Sequence, residues 1–436
     1  RAGGAAVRRG GRLQGAGEDQ LHDRAPALGS HEAAAHPAAL TRCGPQHNLQ
    51  LGRRKLSAKL SIEIVTRGDL RAGNDARLTS PEVDPDGLAA LPVYKREALL
   101  ANPLGSDDDP AQLIGLADGK VVGKVDMFPG EITLDGKPTP VIWGSALGVP
   151  EKYRATGIGL MLAMKMQTVG AWMGAFGVSQ IALPLYTNLR WVNLSLPRYV
   201  LVRRSRRFLA ALTGSEALAA ILAPIADAAF AVQRAGRTAL SPVHRRYELV
   251  PAPEMPEELA DRFVAHAKEQ GGAAPHRSPA WINWLLTTEF NDVPTRRTNL
   301  HLVRRKGTVE ISGYILTKQR HFDDVTQRHV KDVTIAAVQD WMSFDDALPE
   351  HHLLALAINA ALTPAPEVIR GSTADAVEIC TADPAEQRAL RRWGLVGMGQ
   401  LNFLCKPARG SDLADEKWRD PANWRLRPAE GDNFWT

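Results

Sequence analysis

Two Asp-Gly pairs most constrain how this chain can fold, because each lies between runs of alternating apolar residues. They are Asp118-Gly119 and Asp135-Gly136, and Asp-Gly favours the tight type I′ turn that joins antiparallel strands. We therefore predict an antiparallel meander over residues 111–149, with two strands around each turn. A parallel sheet with helical crossovers does not fit this stretch, because such crossovers need a dozen or more residues.

The last strand of the meander, residues 140–149, leads directly into the loop "RATGIG" and a predicted helix over residues 157–176. The N–H groups at the start of a helix lack intrahelical partners and form a natural anion site. Because Gly157 and Gly159 have no side chains, an anion can approach these N–H groups closely. Arg154 adds a positive charge beside them. The loop therefore predicts a bound phosphate group.

Two common phosphate-binding loops do not fit this segment. A P-loop needs Gly-x4-Gly-Lys-Ser/Thr, and the residues after Gly159 do not supply the Lys or the Ser/Thr. The dinucleotide fingerprint Gly-x-Gly-x-x-Gly has Leu162 where its third glycine belongs, and it needs a parallel βαβ unit. What remains is Arg-x-x-Gly-x-Gly after a long strand.

This segment resembles the GNAT N-acetyltransferase superfamily, in which Arg/Gln-x-x-Gly-x-Gly/Ala follows a strand through Val-x-Pro-x-Tyr. Five residues match that pattern: Val149, Tyr153, Arg154, Gly157 and Gly159. Pro150 stands one position earlier than the pattern has it. The resemblance extends in element order over residues 61–208, and its specific part is residues 147–160.

The resemblance implies that the anion is the pyrophosphate of an acyl-CoA, with acetyl-CoA as the expected co-substrate. Seven residues would form the pyrophosphate cradle: Arg154, Ala155, Thr156, Gly157, Ile158, Gly159 and Leu160. The backbone of Leu147, Gly148 and Val149 would face the pantetheine arm, and one N–H near Val149 would polarise the thioester carbonyl. A strand over residues 178–186 would diverge from residues 140–149 and open a slot for the thioester.

The implied reaction is direct attack of an amine, or less often a hydroxyl, on the thioester. The chain is therefore expected to be an N-acyltransferase acting on a small molecule or sugar. Many members of the superfamily protonate the leaving thiolate with a Tyr on the helix after the second strand. Here a helix is predicted over residues 188–196, and the family's spacing leads to Ser195. Tyr186 is our candidate acid, with Tyr199 as the other nearby phenol.

Several alternatives stay open from the sequence. A packed core aromatic is the more common role for a Tyr placed like Tyr186. Asp126 and Glu131 are candidate bases, although hairpin-surface carboxylates fit their positions better, and a water chain needs neither. The lack of a Tyr at Ser195 favours a second function, a non-catalytic acyl-CoA sensor or assembly subunit.

The second half of the chain repeats the order meander, helix, strand, helix, which indicates two copies of one module. The second copy has no glycine pair before its helix, and Asp345, Asp346 and Glu350 would repel a pyrophosphate. We therefore predict an α/β (α+β) fold of two tandem GNAT-like domains with a degenerate second copy. Each domain would have a mixed, mostly antiparallel sheet flanked by helices.

The predicted organisation has five parts. Residues 1–60 form a disordered leader, 61–208 the acyl-CoA-binding first module, 209–256 a helical segment and linker, 257–408 the second module, and 409–436 a tail. The leader is interpreted as a transit peptide, a cloning remnant or an over-extended gene start. A single final strand, "GQLNFLCKP", is predicted at the end of the second module.

Charge and composition argue against several classes of function. The net charge is +5, but residues 1–60 hold ten Lys/Arg and four Asp/Glu, so the remainder carries −1. Nucleic-acid-binding domains usually have a basic body, and only the leader could bind nucleic acid here. Three scattered cysteines make neither a disulfide framework nor a zinc site, so a cytoplasmic protein is expected.

Three other features have more modest interpretations. The adjacent His351 and His352 should point to different helix faces, so no metal site is predicted. Arg203–Arg207 is interpreted as a solvated basic face, or alternatively as a contact for the CoA 3′-phosphate. Residues 217–232 are apolar but contain Pro224 and Asp227, so they predict a buried or interfacial helix and no membrane span.

Overall fold

The structure, a computed structural model, describes residues 59–269, 271–288, 296–325, 330–363, 374–407 and 416–429. The predicted leader lies outside the described residues, except for its last two positions. Residues Ser57–Thr436 form one compact unit. In the described part of this unit, two mixed sheets flanked by helices confirm the predicted α/β fold class.

The described residues form fifteen strands. In chain order they are β1 (Leu60–Thr66), β2 (Pro110–Ala117), β3 (Lys120–Leu134), β4 (Lys137–Gly148), β5 (Trp172–Phe176), β6 (Val192–Asn193), β7 (Leu196–Val202), β8 (Tyr247–Ala252), β9 (Ala273–Pro275), β10 (Arg296–Arg305), β11 (Ile311–Val325), β12 (Val330–Ser343), β13 (Ala376–Cys380), β14 (Val396–Leu401) and β15 (Phe403–Pro407).

Eleven α-helices occur in the same residues. They are α1 (Arg67–Ala72), α2 (Val93–Ala101), α3 (Ile158–Met166), α4 (Leu183–Asn188), α5 (Arg206–Thr213), α6 (Glu216–Leu240), α7 (Pro242–Arg246), α8 (Ala260–Glu269), α9 (Pro279–Thr287), α10 (Glu350–Leu362) and α11 (Pro384–Arg392). A 3-10 helix over Glu151–Thr156 precedes α3.

Both Asp-Gly turns are confirmed. The φ angles are 49° at Asp118 and 77° at Gly119, and 47° at Asp135 and 76° at Gly136. A type I′ turn requires positive φ at both central residues, which Asp tolerates and Gly adopts freely. These turns fix the antiparallel register of β2, β3 and β4.

The meander has three strands and not the predicted four, because β3 runs without a break through Pro129 and Gly130. Pro129 pairs with Ile142 and Gly130 pairs with Val141. A Cβ at Gly130 would collide with the indole ring of Trp143. The Pro-Gly pair therefore allows a close side-chain approach inside a strand, and it does not make a turn.

Each sheet contains a strand from the other half of the chain. The first sheet has the order β1-β2-β3-β4-β5-β15-β6, with β9 beside β3, and the second has the matching order β8-β10-β11-β12-β13-β7-β14. β15 pairs with β5, and β7 pairs with β13. The two halves are thus joined by a reciprocal exchange of strands, so the sheets do not follow the residue ranges 61–208 and 257–408.

The region after the glycine loop differs most from the sequence prediction. The helix predicted over residues 157–176 ends at Met166, and Trp172–Phe176 is the strand β5. Residues 178–186 are not a strand and residues 188–196 are not a helix, since turns, α4 and β6 occupy them. Every residue of β5 is buried, so the alternation that identifies a strand is missing.

The single final strand predicted as "GQLNFLCKP" is divided between the two sheets. β14 ends at Leu401 beside β7, and β15 begins at Phe403 beside β5. Phe403 is fully buried, and its ring lies 5.6 Å from that of Trp143 and 5.5 Å from that of Phe176. Burial of a side chain of this size stabilises a fold by roughly 2–3 kcal/mol. The last strand of the second half therefore completes the core of the first sheet.

The predicted repetition extends to the irregularities of the sheets. β4 has a register shift between the Asp126–Ser145 and Lys124–Gly148 pairs, and the corresponding strand β12 has one opposite Leu316. Both shifts insert an extra residue shortly before the strand leads to its helix, which is the arrangement of a β-bulge. β4 pairs in parallel with β5, as β12 does with β13, so the two halves share one plan.

Candidate functional site

The end of β4 extends past the strand beside it. β4 pairs with β5 over residues 141–144 only, and it continues to Gly148. At the bulge, Ala146 has a φ of 48°, a left-handed conformation that a non-glycine residue adopts at some energetic cost. One edge of residues 145–148 is therefore not covered by β5. The thioester slot predicted from the sequence would lie here, and the strand beside β4 is β5 and not residues 178–186.

The glycine loop connects this open edge to α3. The 3-10 helix over Glu151–Thr156 is followed by Gly157 with a φ of 83°, and α3 begins at Ile158. Gly157 provides no capping side chain, and the first turn of α3 contains no acidic residue. The positive end of the helix dipole is therefore not compensated by a carboxylate within that turn.

The side chains of the loop leave its outer surface open. Thr156 Oγ1 accepts a hydrogen bond of 3.4 Å from Ile158 N, and Arg154 Nε donates one of 3.3 Å to the carbonyl oxygen of Val149. Arg154 is exposed. A Cβ at Gly159 would lie 3.5 Å from Val149 Cγ2, an ordinary contact distance. Packing inside the fold therefore does not require a glycine at position 159. Its lack of a side chain instead leaves space on the outer surface of the loop.

Tyr186 lies within α4, the helix that follows β5, and not at the end of a strand. Only 3% of its surface is exposed, and its ring packs edge-on against Trp191 at a centroid distance of 5.0 Å. Ser195 lies beyond this helix, between β6 and β7. The helix predicted over residues 188–196 thus lies earlier in the chain, and Tyr186 is within it.

Tyr199, the other candidate phenol, is a residue of β7 in the second sheet. Its side chain is buried, and its hydroxyl accepts a hydrogen bond of 3.1 Å from Arg391 Nη2. The strand exchange thus separates Tyr199 from the sheet that contains the glycine loop. Sequence order alone gave no sign of this separation.

The two candidate bases have different surroundings from those predicted. Asp126 is not a surface carboxylate: it is 1% exposed and lies 2.6 Å from Lys95 Nζ and 3.3 Å from Lys124 Nζ. Glu131 is partly exposed and lies 3.2 Å from His276 Nδ1. Burial lowers the pKa of His276, and Glu131 opposes that effect. Both carboxylates are engaged by cationic or ionisable partners.

In the second sheet the chain's own tail fills the corresponding gap. β12 and β13 pair over residues 335–338 and 376–379. Just beyond that pairing, Ala429 N donates a hydrogen bond of 2.9 Å to the carbonyl oxygen of Gln339. Leu426 and Ala429 are both buried. The segment around Ala429 therefore covers the end of β12 in the second sheet. The equivalent end of β4 in the first sheet is not covered by β5.

Arg427 anchors this tail between two carboxylates. Its Nη2 lies 2.5 Å from Glu350 Oε2, at the start of α10, and 3.1 Å from Glu386 Oε1 of α11. Its guanidinium also lies 4.0 Å from the ring centroid of Trp341. Burial raises the pKa of Glu350 to about 7, while the charge of Arg427 opposes the rise. The sequence predicted acidic residues at this helix start but gave no sign of their arginine partner.

A cleft of about 610 Å³ opens beside the start of α10. Asp345, on its wall, lies 3.0 Å from Arg305 Nη2 and accepts a hydrogen bond of 2.9 Å from the Tyr247 hydroxyl. Asp383 caps α11 by accepting from two backbone N–H groups. Asp345 and Asp383 therefore already have partners within the chain, and the second module's failure to bind acyl-CoA stays a prediction.

Within the residues that the structure describes, no group of three or more His, Cys, Asp or Glu side chains is arranged to hold a metal ion. The prediction that His351 and His352 point apart is wrong, because their ring centroids lie 4.3 Å from each other. Burial lowers the pKa of His352, and the charge of the neighbouring His351 lowers it further.

No protein-family model matches this chain, and no curated protein matches it. Among solved structures, a GCN5-related N-acetyltransferase from Anabaena variabilis is 13% identical with a TM-score of 0.46, and the match covers 80% of this chain and 73% of that one. A probable N-acyltransferase from Enterococcus faecalis is 10% identical with a TM-score of 0.45, over 80% and 73% of the two chains. A tandem GNAT protein from the clavulanic acid biosynthesis pathway is 14% identical with a TM-score of 0.41, over 81% and 100%.

Proposed function

We propose that this chain is an acyl-CoA-dependent N-acyltransferase, with acetyl-CoA as co-substrate and an amine of a small molecule or sugar as acceptor. The observation that carries the proposal is the uncovered end of β4, which leads directly into the glycine loop. A single stretch, residues 145–160, contains an open strand edge, a left-handed Gly157 and an uncapped helix start with Arg154 beside it. In an acyl-CoA the extended pantetheine arm is followed by the pyrophosphate, which is the same order as the open strand edge and the glycine loop.

Binding would use backbone groups for most of the ligand. An extended pantetheine arm can pair with an open strand edge as an added strand does, here along Leu147–Val149. The pyrophosphate would then lie over the N–H groups of Gly159 and Leu160, where the helix dipole and Arg154 favour negative charge. The adenine nucleotide would lie outside the loop, in solvent.

The transfer itself needs no covalent enzyme intermediate. The neutral amine nitrogen attacks the thioester carbonyl carbon, and the N–H of Val149 stabilises the negative charge that develops on the oxygen. The C–S bond then breaks, and the leaving thiolate takes a proton from the Tyr186 hydroxyl. The attacking nitrogen loses its surplus proton to solvent water. The Tyr186 phenolate takes a proton back from solvent, which restores the phenol. The products are an amide and free CoA.

We expect the full chain to release CoA thiol when it is mixed with acetyl-CoA and a suitable amine. A colorimetric thiol assay over a panel of small amines and amino sugars measures this release, with each amine omitted in turn as the blank. Release that depends on both acetyl-CoA and an amine supports the transferase. Tight CoA binding in calorimetry without release for any acceptor contradicts it and favours the acyl-CoA sensor instead.

Tyr186→Phe should lower kcat by roughly 100-fold, because general acid catalysis contributes about that much or more. The affinity for CoA should not change, since the hydroxyl acts on the thiolate and not on the pyrophosphate. Tyr199→Phe is the matched control: it also removes one buried hydroxyl, but from the second sheet. If Tyr186→Phe turns over as fast as the parent chain, Tyr186 is a packing residue and the acid lies elsewhere.

The same proposal includes a cytoplasmic location and no nucleic-acid partner. Cys380 and Cys405 are buried and unpaired in the described residues, which fits a reducing compartment. Burial raises the pKa of both thiols well above the ordinary value. Neither cysteine is therefore poised as a nucleophile, in agreement with direct transfer.

A further inference from the structure

Helix α6 has the reverse of the usual polarity for a surface helix. Between Ala217 and Val232 its one polar side chain, that of Asp227, faces the protein, and Asp227 Oδ1 accepts a hydrogen bond of 2.7 Å from Ser205 N. Between Ala217 and Val232 the exposed large side chains are all apolar, and Leu240 adds one more near the end of the helix. They are Leu218, Ile221, Leu222, Ile225, Phe230, Val232 and Leu240. We call this set the α6 apolar face.

The packing of α6 explains why its apolar residues are outside. Ala219 and Ala223 are the buried positions, and they are four residues apart on one side of the helix. Their small side chains let α6 lie close to its neighbour α5, so the larger side chains have no room on that side. Ile221 and Ile225 are each 69% exposed. A soluble monomer does not usually leave a continuous apolar surface of this length in water.

The charges around α6 differ from those of the remaining folded chain. Residues 203–246 contain eight arginines and two acidic residues, a net charge of +6. Residues 1–60 also carry +6, so the rest of the chain carries −7. The arginines lie at the two ends of the segment, and Arg204 and Arg206 have side chains 53% and 62% exposed. The α6 apolar face is thus bordered by cations, whereas the chain outside residues 1–60 and 203–246 has a net negative charge.

We propose that the α6 apolar face binds the surface of an anionic lipid bilayer. Interfacial helices insert apolar side chains between lipid headgroups, while flanking Arg and Lys contact the anionic groups. Protein interfaces differ, since they carry a polar rim and about one hydrogen bond per 100–200 Å². The stretch from Ala217 to Val232 offers no outward polar side chain for such bonds, whereas a hydrocarbon boundary requires none.

The helix would lie along the bilayer and not cross it. Among the described residues, α6 is the one helix long and apolar enough to span a membrane by length and composition. However, Asp227 is bonded to Ser205, and Ala219 and Ala223 pack on the folded body. A crossing would break these contacts and bury Asp227 in hydrocarbon, which is costly. Binding along one face keeps them all.

Co-sedimentation of the full chain with vesicles tests the proposal. We expect binding to vesicles of phosphatidylcholine with phosphatidylglycerol, and at least tenfold weaker binding to phosphatidylcholine alone. The double variant Ile221→Gln/Ile225→Gln should bind the anionic vesicles at least tenfold more weakly. Both side chains are already exposed, so the fold should not change. The matched control is Val93→Gln/Val309→Gln, at positions 70% and 90% exposed elsewhere on the surface, which should bind as the parent does.

A second experiment tests the flanking arginines, and also whether a second copy of the chain covers the α6 apolar face instead of lipid. Arg245→Gln/Arg246→Gln should weaken binding to anionic vesicles several-fold, and higher salt should do the same. Equal binding to neutral and anionic vesicles overturns the proposal. So does a chain that ignores vesicles but forms dimers that Ile221→Gln/Ile225→Gln dissociates, because a second copy then covers the face. CoA binding lies outside this test, so the two proposals can fail separately.

Discussion

Gly159→Glu is expected to lower the affinity for CoA by at least about 100-fold. The new carboxylate would stand at the start of α3, within a few ångströms of the proposed pyrophosphate. Repulsion between unit charges near a protein surface is on the order of 4 kcal/mol at 4 Å, and each 1.4 kcal/mol is a factor of ten in affinity. Isothermal titration of CoA into the parent and the variant measures the loss.

Gly159 gives a cleaner experiment than Gly157. A side chain at Gly157 would be strained by its φ of 83° whatever its charge, whereas a Cβ at Gly159 meets only Val149 at an ordinary distance. Gly159→Gln adds nearly the same volume without charge and should lose much less affinity. Met164→Glu places a carboxylate on the same helix at a position 49% exposed and should bind CoA normally. Parent-like affinity in Gly159→Glu would show that the loop assignment is wrong.

The features that sequence predicted correctly are those that local chemistry dictates. Asp118-Gly119 and Asp135-Gly136 form turns whatever else the chain does, because the required positive φ angles depend on two residues alone. A helix starting near Gly157 was also predicted, and α3 begins at Ile158, the next residue. Each of these predictions used a pattern shorter than ten residues.

The features that sequence missed depend on contacts between distant parts of the chain. β15 was predicted as part of one final strand and β7 was not predicted, and nothing in "LPRYVLV" or "FLCKP" indicates which sheet each strand joins. β5 is buried on both faces, so its sequence lacks the alternation of apolar and polar residues that indicates a strand. The predicted helix over residues 157–176 therefore included it. That single error also misplaced the following helix, which was predicted over residues 188–196 and lies at Leu183–Asn188.

Arg427→Leu should lower the free energy of unfolding by about 3–5 kcal/mol, the usual effect of removing one partner from a buried ion pair. The variant would leave Glu386 buried and Glu350 mostly buried without their shared cation, since Arg427 lies 2.5 Å from Glu350 and 3.1 Å from Glu386. Chemical denaturation followed by circular dichroism measures the change. Arg425→Leu, two residues earlier at an exposed position, should change it by less than about 0.5 kcal/mol.

The pH dependence of this loss separates a charge effect from lost packing. Burial raises the pKa of Glu350 from its ordinary value of 4.5 to about 7, so the folded chain holds a proton there that the unfolded chain releases. The contribution of Glu350 to the free energy of unfolding therefore falls as the pH rises from 4.5 to 7. Without Arg427 the pKa rises further, and the fall continues above pH 7. The deficit of Arg427→Leu should thus be larger at pH 8 than at pH 5, and Glu350→Gln in the same chain should remove most of that difference. An equal deficit at both pH values would mean that Arg427 acts by filling space over Trp341 and not by charge.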